Sequence, residues 1–72
     1  MRQLIGKLKH RGVTDEVYLS EHIMCRECQR TVPVGIEVVT VQLVGNSKRV
    51  LKHACYCRAH GTEYQARAQG GG

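Results

Sequence analysis

Cys25 and Cys28 stand with two residues between them, and so do Cys57 and His60. Thiolate sulfur and imidazole nitrogen are zinc donors, and this gap lets the chain turn and aim both donors of a pair at one ion. A structural site needs four donors in a tetrahedron. The first pair is unambiguous. The second half of the chain offers His53, Cys55, Cys57 and His60, of which zinc needs two. Cys57 with His60 repeats the spacing of the first pair and is the preferred completion. One zinc ion on Cys25, Cys28, Cys57 and His60 is therefore expected. His53 with Cys57 is the next arrangement. Cys55 with Cys57 comes last, because a single intervening residue pinches two donors approaching the same ion.

Other chemistry fits these residues less well. A thioredoxin-like redox pair at Cys25 and Cys28 lacks its βαβ setting. An iron–sulfur cluster on the cysteines is at odds with the close spacing of Cys55 and Cys57. Disulfides need an oxidising compartment, and residues 1–7 contain no apolar run of signal-peptide length. No stretch approaches the ~20 apolar residues of a membrane span. These points lead to the expectation of a cytoplasmic chain with reduced thiols and no membrane partner. Glu27 and Glu63 lie near the ligands in sequence and could act as bases beside a catalytic zinc. However, 72 residues leave little chain for a substrate pocket, so neither an enzyme nor a small-molecule substrate is expected. His10 and His22 read as exposed histidines, with His22 near enough to Cys25 to support its site.

The elements that must carry these donors are short of core. Of 72 residues, 4% are aromatic, all of them Tyr. A chain this small buries only ~60% of its unfolded surface and usually needs a staple. Residues 1–14 carry Arg2, Lys7, Lys9 and Arg11, with Gly6 and Gly12 as interruptions. They read as a basic flexible arm, or as a short first strand around Leu4 to Leu8. In residues 15–24, Val17, Leu19 and Ile23 alternate as a strand would, with Glu21 the exception. Residues 36–44 are rich in β-branched side chains and read as a strand. Gly45-Asn46-Ser47 supplies a turn, and residues 48–53 return as the second strand of a hairpin. Thr62 and Gln65 have capping-box spacing ahead of Ala66, Arg67 and Ala68, which predicts a short helix. The zinc-binding domain is thus placed at residues 15–68, with a disordered tail at 69–72.

The order of knuckle, hairpin, ligand pair and helix resembles a treble-clef zinc finger. Cys57-Arg58-Ala59-His60-Gly61 is similar to the second ligand pair of GATA-type fingers, which is also followed by glycine. Cys25 and Cys28, then Gly35, a hairpin and His53, resemble PARP-type fingers. The resemblance spans roughly residues 23–68. It implies a small zinc-stabilised α+β fold with a knuckle, a β-hairpin and a short C-terminal helix. A three-stranded zinc ribbon, with the second pair on its own knuckle, is the competing architecture.

Eleven Lys and Arg against six Asp and Glu give a formal charge of +5, and zinc on three thiolates would lower it only to +4. A basic balance favours anionic partners, with nucleic acid first. Lys7, Lys9 and Arg11, with Lys48, Arg49 and Lys52 on the hairpin, are the candidates for phosphate contacts. Nothing resembles a base-reading code, so little sequence selectivity is expected. The alternative is a protein-interaction adaptor that adds a partner strand to the edges of the hairpin begun by residues 36–44.

Overall fold

Two tight turns and one loop set the path of the chain. Arg11 and Gly12 both have positive φ, +43° and +79°. That is the type I′ pattern, whose twist matches that of the strands it joins. Gly45, at φ +61°, opens the second tight turn. The computed structural model describes residues 2–70. They form β1 (Arg2–His10), β2 (Val13–Met24), β3 (Thr31–Val44), β4 (Ser47–Cys57) and α1 (Arg58–Gln69). The strands lie in the order β1-β2-β3-β4, each antiparallel to the next.

The helix packs on one face of this sheet. Val17, Ile36 and Val38 form the buried cluster there, with Ile5, Leu19, Tyr56, Tyr64 and Ala68 against it. Tyr56 and Tyr64 stack with ring centroids 5.4 Å apart. Two glycines set how closely the helix lies. A Cβ on Gly61 would fall 2.6 Å from Ile36 Cβ, and one on Gly6 would fall 2.5 Å from Ala68 Cβ. The helix therefore crosses from β3 at its start to β1 near its end.

This architecture corrects the expected α+β treble clef and the three-stranded ribbon. The chain is mostly antiparallel sheet, four strands in a meander with one C-terminal helix. The glycines explain the difference. Gly12 does not break a helix; it turns a hairpin. Gly6 sits where the β1–β2 register shifts, under the helix. Residues that read as irregular are thus an edge strand. The helix also starts at Arg58, before the Thr62 capping box, and its N-cap is Cys57. Of the expected tail at 69–72, Gln69 ends α1 and Gly70 N–H bonds Ala66 O at 2.7 Å. Gly71 and Gly72 lie outside the described residues. No helix among the described residues is long and apolar enough to cross a membrane.

The face away from the helix buries Val39 and Val41 together with one carboxylate. Glu16 is buried there, with Lys48 Nζ at 2.9 Å, the Tyr18 hydroxyl at 3.0 Å and Lys7 Nζ at 4.0 Å. The Lys48 hydrogen bond holds its carboxyl below the usual range, against the opposing effect of burial. Arg2 bridges Glu37 at 3.1 Å while lying 4.3 Å from the Tyr18 ring centre.

Candidate metal centre

Cys25 follows β2 directly and opens a loop that folds back on itself. Its N–H donates to Arg30 O at 2.9 Å, and Gln29 N–H donates to Cys25 O at 2.7 Å. Gln29 takes φ +58° to close the turn. Cys28 N–H donates to Cys25 Sγ at 3.3 Å. Arg26 N–H reaches Cys55 O at 2.8 Å, which docks the loop on β4.

The second pair lies where β4 becomes α1. Cys57 is the N-cap, and its Sγ accepts from His60 N–H at 3.4 Å. Free N–H groups at a helix start favour a negative sulfur. His60 is three residues into the turn, so its ring returns over the cap. Gly61, pressed on Ile36, fixes the helix position from which His60 projects.

The four donor atoms lie within 4.8 Å of one another. Cys28 Sγ and Cys57 Sγ are 3.8 Å apart. His60 Nδ1 is 3.1 Å from Cys28 Sγ, 3.1 Å from Cys57 Sγ and 3.7 Å from Cys25 Sγ. Around tetrahedral zinc, the usual bond lengths give S···S edges of about 3.8 Å and S···N edges of about 3.6 Å. Cys25, Cys28, Cys57 and His60 are thus positioned to bind a metal ion, and their spacing is compatible with zinc.

The electrostatics differ across the four. Burial raises the Cys25 thiol, but N–H groups of Cys28, Cys57 and Glu27 outweigh it and bring it down to about 6. Cys28 is pushed up to about 11 by burial and by the neighbouring sulfurs of Cys25 and Cys57. Hydrogen bonds from His60, backbone first, lower Cys57. The adjacent Cys57 sulfur raises the His60 imidazole. The sulfurs crowd one another's negative charge, which a divalent cation would neutralise together.

The remaining candidates lie elsewhere. His53 and Cys55 join Glu37 in a separate group. His22 is exposed, with φ +53°, and His10 pairs with Asp15 at 3.0 Å. Lys7 and Lys48 are both engaged by Glu16. Lys9, Arg11, Arg49 and Lys52 make no ion pair among the described residues. Sequence reasoning missed Glu16 and Glu37. Period-two spacing could have put His53 and Cys55 on one face, but nothing local points to Glu37. No family model, curated protein or solved structure matches this chain, so the reading of the site rests on its own geometry.

Proposed function

We propose that the chain is a structural-zinc module that binds the nucleic-acid backbone with little sequence selectivity. Zinc on Cys25, Cys28, Cys57 and His60 ties the β2–β3 loop to the start of α1. The observation that carries the binding role is the register at the other end of the sheet. There His10 lies opposite Val13, Val13 opposite Gln42, and Gln42 opposite Arg49. This row brings Lys9 and Arg11 to the end of the sheet that holds Arg49, while Lys52 lies opposite Thr40, midway along β4. Lys9, Arg11 and Arg49, which make no ion pair among the described residues, give this end a basic character suited to phosphate contacts, and Lys52 extends it along the edge strand β4. Lys7 and Lys48 serve Glu16 instead.

The test is binding to labelled duplex DNA and RNA over a range of salt. Affinity should fall with a log–log slope of about −0.9 per phosphate contact on duplex DNA. Replacing Arg49 and Lys52 by Gln should flatten the slope and leave zinc content unchanged. Absence of salt-sensitive binding at low ionic strength would overturn this reading.

A second reading, the protein adaptor, is favoured by a different observation. Leu43, Val44, Val50 and Leu51 are all exposed beside the second turn. β3 is paired on both sides, so only β1 and β4 offer edges for strand addition. Salt-insensitive association lost in a Leu43→Ser, Val50→Ser double variant would select it.

A further inference from the structure

Glu37, His53 and Cys55 are brought together by the sheet itself. His53 and Cys55 are two residues apart on β4, so their side chains share a face. Glu37 is the direct cross-strand partner of Cys55 on β3. One donor atom from each lies within 4.8 Å of the other two. His53 Nε2 is hydrogen-bonded to Glu37 Oε2, and Arg2 holds the other carboxylate oxygen at 3.1 Å. We propose that Glu37, His53 and Cys55 form a second metal site, which takes a divalent transition ion and leaves one coordination position open.

The donor set chooses the ion. One sulfur, one imidazole nitrogen and one carboxylate oxygen suit zinc, cobalt or nickel, and suit calcium or magnesium poorly. Three protein donors around a tetrahedral ion leave a fourth position for water or an added anion. Arg2 supplies the outer support that orients a ligating carboxylate. It also places a cation beside the site, which weakens metal binding relative to the three-thiolate centre. Entry is available, because the His53 side chain is 50% exposed and that of Glu37 12%. The ion replaces the His53–Glu37 hydrogen bond. A tetrahedral N···O edge is about 3.3 Å for usual zinc bond lengths, and the half-exposed ring on an edge strand can swing outward to give it. This site shares no donor with the first, and it does not depend on the nucleic-acid reading.

The experiment uses the whole chain. Protein carrying one equivalent of zinc is titrated with cobalt(II), followed by visible absorption and native mass spectrometry. The expected result is one further cobalt per chain, with d–d bands and a thiolate charge-transfer band. Added azide should shift the d–d bands, as an open position requires. His53→Ala and Cys55→Ser should each weaken the second equivalent at least tenfold, with the first zinc and the amide spectrum retained. If either fails to fold, Glu37→Gln keeps the side-chain shape and should weaken it in the same direction. A single equivalent in the wild type means that the group is an ion pair only, and the proposal is overturned. So is a second equivalent that survives these substitutions.

Discussion

The four donors of the first centre hold their protons unequally, and this makes metal uptake depend on pH in a defined direction. Cys25 is depressed to about 6. Its thiolate favours the folded chain above the ordinary thiol pKa, and that contribution fades as pH falls towards 6. Cys28 is raised to about 11; its contribution has the opposite sign and is lost as pH rises towards 11. At neutral pH the raised Cys28 thiol holds a proton that zinc must displace, and the raised His60 imidazole adds to the protons released. Zinc loading at neutral pH should release at least the Cys28 proton, measured by calorimetry in buffers of different ionisation heat. Uptake with no proton release would contradict this assignment of charge. Glu16 gives a second prediction. Its carboxyl is depressed mainly by Lys48, so its stabilisation is present above the ordinary carboxylate pKa and is lost as pH falls. Lys48→Met should lower stability at pH 7, because it leaves the buried Glu16 carboxylate without the ammonium group 2.9 Å away. In urea titrations the deficit should shrink as pH falls below the usual carboxylate range, and Arg49→Met should show no such deficit.

Among the elements, α1 carries the most information, because its seat and its metal donor are adjacent in sequence. Gly61 rests on Ile36 with room for hydrogen only, and the Ile36 Cβ is fixed to a central strand and cannot yield. Gly61→Ala gains about 1 kcal/mol of helix propensity but must overpack a buried contact, which costs about 1–3 kcal/mol. Overpacking wins, because the clash is with Cβ itself and not with a flexible side-chain end. Melting should fall by roughly 5–10 °C, and zinc affinity should fall with it as His60 is displaced. An unchanged melting temperature would show that the helix is not seated through Gly61. The same contrast explains what was legible in the sequence. Cys25 with Cys28, and Cys57 with His60, are local patterns, and spacing alone brought the four donors into one list. The sheet was not legible in that way. Gly6 and Gly12 carry the same letter as chain breakers, and only strand pairing shows one under a helix and the other in a I′ turn. Glu16 meets Lys48 across 32 residues of sequence, and Glu37 meets Cys55 through register. No local window contains either pair.

Across the whole molecule, the four candidate metal donors and the two tight turns lie at opposite ends of one sheet. The β2–β3 loop and the start of α1 form the metal end, while the two tight turns form the other end. The single helix covers one face only. Val17, Ile36 and Val38 form the cluster under it, Val39 and Val41 are buried on the other face, and a core this small rarely supplies more than about 3–5 kcal/mol. Structural zinc in finger peptides contributes on the order of 10 kcal/mol of apparent binding free energy. The larger quantity decides the behaviour: with the metal removed, the tie between the β2–β3 loop and α1 is lost. The helix then leaves Ile36, and a four-stranded sheet without a second layer cannot keep its apolar face from water. The loss should therefore reach β1, although none of the four donors lies on it. Chelation should collapse the dispersed amide spectrum of every strand together, the Arg2–His10 resonances included, and adding zinc should restore it. A chelated sample in which β1 and β2 keep their dispersion while only residues 25–30 and α1 broaden would mean that the sheet stands alone and the metal merely holds the helix on it.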